Sequence, residues 1–295
     1  MRRNWIAAGV SAAIFFAPLT SNYPTRAQGA KIQFHETRVS PSDLELAGDV
    51  AGVPRGEIRY LTREDLLAAS QAMTISPDDG NFKATTKVRA VGLEELARAL
   101  GVPATDMVIA ICKDKYRGHY TRSYIATHHP LLVMELNGTA LSDSPKESGA
   151  YDPGPYLIAH ARFPRTSKDP AENDEPQIPW GVVRLEFRDE KEVFGAIAPH
   201  GPHASDAAVQ DGFKIAEQNC LRCHYNGTTG GTKSGVFWGT LATIAAQSPQ
   251  FFTEYVRDPA SKNPKTQMAG SPEYDDATMR ALIAYFRTFP PTVAY

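Results

Sequence analysis

Asn219-Cys220-Leu221-Arg222-Cys223-His224 is the stretch on which the reading of this chain turns. Two cysteines two residues apart can hold zinc, cycle between dithiol and disulfide, or bind a haem covalently. A structural zinc ion takes four ligands, and a catalytic one takes three plus water. Cys220, Cys223 and His224 supply three, but no second CxxC or HxxxH lies downstream, and adjacent Cys223 and His224 crowd one tetrahedral ion. A thioredoxin-type pair needs a βαβ setting and gives the histidine no task. Haem attachment uses every position. Both thiols add to the vinyl groups, and the next residue sets its imidazole under the iron.

The iron then needs a second axial ligand, and a Met/His pair raises the potential into the range of electron transfer. Met268 and Met279 are the downstream candidates. Met268 lies in Asn263-Pro264-Lys265-Thr266-Gln267-Met268-Ala269-Gly270, a stretch punctuated by proline and glycine, and such a loop can lay a side chain across the far haem face. Met279 falls within a helical pattern over residues 275–289 and reads as packing. Met268 is the expected ligand.

Residues from about 206 to 290 resemble a class I c-type cytochrome domain. Gly212 and Ala216 precede the attachment site on an apparent helix, where small residues let another helix approach. The stretch around Met268 is similar to the family's distal methionine loop. Leu282-Ile283-Ala284-Tyr285-Phe286-Arg287 is similar to its last helix, with Leu282 and Tyr285 on the crossing face. Where the family often has Gly-Pro, whose carbonyl accepts a bond from the proximal histidine, this chain has Gly235-Val236. A backbone carbonyl needs no particular side chain, so the resemblance implies that the bond survives.

Residues 30–199 read differently. Thr62-Arg63-Glu64-Asp65 ahead of Leu66 and Leu67 is a capping-box helix start. Residues 93–100 read as a helix stopped by Gly101 and Pro103. Residues 108–111, 131–136, 156–160 and 182–187 read as strands, and Asn137-Gly138 as a tight turn. The expected fold class is thus an α+β domain with a mixed sheet, followed by a small all-α cytochrome domain. The order of helix, Gly-Val-Pro, strand, Asp-Lys-Tyr-Arg-Gly and Pro-Leu-Leu-Val-Met-Glu-Leu-Asn-Gly-Thr-Ala-Leu resembles the molybdopterin-binding domain of the sulfite oxidase group, over about residues 55–190. In catalytic members of that group a cysteine thiolate ligates molybdenum. Cys112, closing a strand, is the one candidate, but Ile111-Cys112-Lys113-Asp114-Lys115 does not match the family's cysteine motif. A lone cysteine at the end of an apolar strand reads as a small buried hydrophobe. No molybdopterin is expected.

Lys113, Lys115, Arg117, His119, Arg122, His128 and His129 form a basic stretch with Tyr116, Tyr120 and Tyr124 interleaved. Three readings stay open: a docking face for an acidic partner, a solvated loop, or a site for a small anion such as a pterin phosphate. Pro199-His200-Gly201-Pro202-His203-Ala204-Ser205 reads as a linker over residues 200–205, with His200 and His203 as solvated bystanders.

The chain has 295 residues, 42% apolar and 22% charged, the range of a globular protein with a core. Arg2 and Arg3 ahead of an apolar run over residues 5–19, with Thr25-Arg26-Ala27 after it, read as a signal peptide over residues 1–27. Cleavage would remove Arg2, Arg3 and Arg26 and no acid, moving the formal charge from −2 to −5. No basic run suggests nucleic acid as a partner. With three cysteines, two of them local, no disulfide framework is expected.

The expected protein is therefore an exported, periplasmic c-type cytochrome with one covalent haem and no stable membrane insertion. Residues 206–295 would carry the haem on Cys220, Cys223, His224 and Met268. Residues 30–199 would dock a redox partner, either a dehydrogenase or a terminal acceptor. With both axial positions filled the haem is a relay, so electron carriage rather than catalysis is expected. Two other functions compete. A molybdenum-dependent oxidoreductase of the sulfite dehydrogenase type would need Cys112. A haem-linked sensor would use the basic stretch to bind an anion.

Overall fold

A computed structural model describes residues 32–76, 80–143, 152–163, 165, 167–172 and 174–290. The expected export segment, residues 1–27, lies outside the described residues. The first half is one ten-stranded sheet with short helices. Its strands are β1 (Leu44–Gly48), β2 (Arg59–Leu61), β3 (Gln71–Ile75), β4 (Thr86–Gly92) and β5 (Asp106–Cys112). They continue with β6 (Arg117–Tyr120), β7 (Leu131–Leu136), β8 (Thr139–Ala140), β9 (Tyr156–Ala159) and β10 (Trp180–Asp189).

The main path of the sheet runs β2-β1-β10-β9-β7-β4-β3, with β5 bridging β10 and β6. Among the described residues of this sheet, β1 and β10 pair in parallel and the other strand pairs are antiparallel. Helix α1 (Arg63–Ala69) begins with the capping box expected at Thr62 and Asp65. Helix α2 (Leu93–Ala99) ends before Gly101, which takes a positive φ of 64°. Asn137 and Gly138 both have positive φ, the requirement of the tight turn that joins β7 to β8.

Two more helices complete this half, α3 (Arg122–His128) and α4 (Glu190–Gly195). The second half is helical: α5 (Ala207–Ile215), α6 (Trp238–Gln247), α7 (Pro249–Arg257), α8 (Pro259–Lys262) and α9 (Asp276–Phe286). It departs from an all-α domain by one small hairpin, β11 (Tyr225–Asn226) with β12 (Thr229–Gly230). Among the described residues, no helix is long and apolar enough to cross a membrane.

β5 explains how the halves meet. Its sequence, Asp-Met-Val-Ile-Ala-Ile-Cys, is apolar on both faces. Val108, Ala110 and Cys112 belong to the core of the sheet half, among Leu44, Leu46, Tyr120 and Phe187. Met107 and Ile109 belong to the other core, with Val193 and Ile197 on the sheet side and Trp238, Leu282, Tyr285 and Phe286 on the helical side. One strand therefore serves two cores. Burying Met107 and Ile109 there contributes about 1.5–3 kcal/mol each.

The stretch over residues 200–205 consequently does not hold the halves apart. His200 stacks edge-on against Phe289, with ring centroids 5.0 Å apart, and exposed His203 pairs with Asp206 at 3.0 Å. Tyr285 ties the halves further, its hydroxyl donating to the Ile197 carbonyl at 2.6 Å.

Candidate functional site

α5 carries Gly212 where α9 crosses it. A Cβ at Gly212 would run into the Ala281 carbonyl and approach Tyr285, so only glycine permits this crossing. Tyr285 stacks on Phe213, at 5.6 Å between centroids, and accepts a hydrogen bond from Trp238 Nε1 at 3.1 Å. The small residues and the Leu282–Tyr285 face expected from the sequence form this packing.

Past α5 the chain makes a π-turn over Ala216–Cys220, closed by the Leu221 amide donating to the Ala216 carbonyl at 3.0 Å. The turn delivers Cys220, and the His224 amide then donates back to the Cys220 carbonyl at 2.9 Å. Cys220, Cys223 and His224 thus come together within one tight loop. Both thiols are partly buried and unpaired. Burial pushes the Cys220 thiol up to about 12, with Cys223 adding to the rise. Among the described residues, no three histidine, cysteine or acidic side chains converge as a metal-ion site.

His224 is the best-defined member. Its Nδ1 lies 3.0 Å from the Val236 carbonyl. Donation from Nδ1 fixes the ring and leaves Nε2 as its ligand atom. Burial lowers the pKa of His224, opposed by the bond to Val236, which favours the neutral ring that a metal needs. The bond expected at Gly235-Val236 is therefore present without a proline. Ser234 was not legible beforehand. Its Oγ lies 3.0 Å from the same Nδ1 and donates to the Cys223 carbonyl at 2.9 Å, so one hydroxyl braces the whole turn. No spacing rule singles out such a serine.

Met268 is on a separate loop, with its side chain about 36% exposed. Its amide donates to Thr266 Oγ1 at 3.2 Å, and the Lys265 amide to Asn263 Oδ1 at 3.1 Å. Phe237 and Phe251 are the other large exposed apolar side chains of this half. Met279 is buried in the helical core, as expected of packing.

The donor set fits a haem: two neighbouring thiols, one oriented neutral imidazole, and an exposed thioether on a separate loop. When bound, that group supplies reversible one-electron chemistry. A pterin-bound molybdenum centre fares worse. Cys112 is 3% exposed and points into the sheet core, and burial raises its thiol strongly, so it stays a protonated thiol within a hydrophobic cluster. Cys112 does not fit a ligand role.

The basic stretch over residues 113–129 is a correction. It is the β5–β6 turn, β6 and α3, and its aromatic members face inward: Tyr120, Tyr124 and His119 are buried. Lys113, Lys115 and His129 remain exposed, and Arg117, Arg122 and His128 are half-buried. Strand and helix pack the aromatic side chains inward, so this is not a solvated loop.

The stretch meets the Cys-His loop instead. The Arg117 amide donates to the Arg222 carbonyl at 2.9 Å, and the Thr232 amide to the Lys115 carbonyl at 3.2 Å. Lys233 pairs with Asp114 at 2.6 Å and lies over the Tyr116 ring. Arg222, between the two cysteines, has Nε and Nη2 sealed from solvent without a hydrogen-bond partner, and its positive charge is held among Tyr116, Tyr124, Glu175 and Tyr120.

No curated protein matches this chain. Residues 209–290 match the family model described as Cytochrome c, and they hold α5, the Cys-His turn, Val236, the Met268 loop and α9. That match supports a C-terminal c-type cytochrome, a haem c cofactor and haem-based electron transfer.

Proposed function

We propose that this protein is an exported, periplasmic electron carrier in which Cys220 and Cys223 hold one haem covalently, His224 and Met268 hold its iron, and residues 30–199 form a fixed module that presents the haem to a redox partner. The observation that carries the reading is the His224 Nδ1–Val236 bond at 3.0 Å, which aims the ring beside two free thiols. Cys220 and Cys223 anchor, Ser234 braces the turn, and Val236 fixes the tautomer. Exposed Met268, the proposed axial ligand, would leave its side of the haem open to a partner protein, which favours electron exchange by contact. The sheet half packs against the Cys-His loop through Arg117, Lys115 and Asp114. Its resemblance to the sulfite oxidase group then reflects a scaffold without molybdenum, because Cys112 serves as core.

Metal content and the alkaline pyridine spectrum of protein purified from an exporting host test this. One iron per chain, no molybdenum and a covalent haem spectrum are expected. Cys220→Ser should lose one thioether and Cys220→Ser with Cys223→Ser should lose covalent haem altogether. Haem that extracts freely from the unaltered protein would overturn the reading, and one molybdenum per chain would restore the enzyme.

A further inference from the structure

A cavity of about 200 Å³ lies where the halves meet, large enough for several water molecules at about 30 Å³ each. His119 and Ser123 line it from the sheet half, Glu190 from the start of α4, and Lys214, Glu217 and Gln218 from α5 and the π-turn. His119 is 2% exposed, and neither of its ring nitrogens has a hydrogen-bond partner. Glu217 has no ion-pair or hydrogen-bond partner among the described residues. It stands three residues before Cys220, on the π-turn that ends in that cysteine. Helical turns with i→i+5 bonds occur frequently at functional sites.

We propose that this cavity is a redox-linked proton site, in which Glu217 takes up one proton when the haem gains one electron and releases it on oxidation. The inference rests on the haem reading above. In balance, a one-electron donor reduces ferric to ferrous iron while a solvent proton converts the Glu217 carboxylate to the neutral acid. No covalent bond to carbon or sulfur is made or broken. The reason is electrostatic. Reduction would remove one positive charge from a haem anchored at Cys220, and a half-buried carboxylate three residues away would lose part of the attraction that keeps it ionised.

The surrounding groups suit the task. Burial pushes the Glu217 carboxyl up to about 8, with Glu190 adding to the rise and Lys214 opposing it. Lys214 is half-exposed and shared with Asp211 at 3.9 Å, so it does not fix Glu217 as an anion. Glu190 is itself raised, by burial first, although it accepts a bond from the Arg122 backbone and feels Asp189. Burial pushes His119 down to about 3, with Arg117 and Arg222 adding to the fall, so its imidazole stays neutral and does not compete for the proton. A neutral ring offers one donor and one acceptor, which lets it pass a proton without storing it. Tyr285 faces Glu217 from α9 and is held neutral, chiefly by burial.

The test is the reduction potential of the haem-loaded full chain between pH 6 and pH 10, beside Glu217→Gln and Glu190→Gln. The potential of the unaltered protein should fall with rising pH through a window near pH 8 and be flat on either side. A tenfold difference in proton affinity between oxidation states spans about 59 mV for a one-electron couple. Glu217→Gln should be flat throughout, and Glu190→Gln should keep the step at lower pH. A flat profile in the unaltered protein, or an undiminished step in Glu217→Gln, overturns the proposal.

Should Glu217→Gln fail to fold, the redox-difference infrared spectrum of the unaltered protein decides. A carboxylic-acid band that appears on reduction and shifts in heavy water supports Glu217, and no band refutes it. A covalent haem spectrum in the same sample separates these failures from failure of the haem reading, since a chain without haem sinks both.

Discussion

The Cys-His loop and the Met268 loop are held in opposite ways. The sheet half grips the Cys-His loop through backbone bonds from Arg117 to Arg222 and from Thr232 to Lys115, the Asp114–Lys233 pair and the apolar contacts of Met107 and Ile109. The Met268 loop is instead held by short-range bonds at Asn263 and Thr266, and Met268 is exposed. The contrast separates two demands. A relay must hold its cofactor still, because reorganisation slows transfer, yet leave part of the surface open to a partner. The first demand is met where the sheet half grips the Cys-His loop, and under the proposed function the second would fall to exposed Met268.

Substitutions on the two sides should therefore differ in size and kind. The largest effect is expected from Ile109→Ala, which opens the shared core and should cost about 2–5 kcal/mol in urea unfolding. Both halves should lose stability in one transition. Early melting of the helical half alone would break the comparison.

Next comes Asp114→Asn, which keeps the acceptor for the Tyr116 amide but removes the charge opposite Lys233. The pair is mostly shielded, so a cost of about 1–2 kcal/mol should appear in the same assay and shrink little with salt. The smallest change in stability belongs to Met268→Ala on the open side, within about 0.5 kcal/mol. Its effect on the haem should nonetheless be large. The potential should drop and the iron should bind small added ligands, since thioether ligation is what raises it. An unchanged midpoint potential would remove Met268 from the site.

This asymmetry also marks what could be read beforehand. Local patterns were legible because local physics decides them. The Cys-x-x-Cys-His spacing, the small residue at Gly212, the capping box at Thr62 and the Asn137-Gly138 turn each act within a few residues. The strands β5, β7, β9 and β10 announced themselves by apolar runs. β1, β2, β3, β4 and β6 did not, since short or half-exposed strands carry polar residues and take their order from neighbours distant in the chain.

The seam was the least legible part. Met107 and Ile109 show only that β5 is buried on both faces, not what covers the second. Lys115, Tyr116 and Arg117 read as a surface because basic residues usually are one. What pairs with their backbone lies more than a hundred residues later, at Arg222 and Thr232. Ser234 was hidden for the same reason: its importance lies in where a turn places one hydroxyl.

β5 has a consequence for how such a protein can be inherited. The family match begins at residue 209, yet the strand that completes the core of that segment lies a hundred residues earlier. Sequence ancestry and physical independence therefore have different borders in this chain. A recombination event that exchanged the helical segment for a relative's would have to bring side chains that fit Met107, Ile109 and Ile197, or leave a greasy stripe on its host. A change of size at Met107 or Ile109 calls for an answering change on the helical side of the same core.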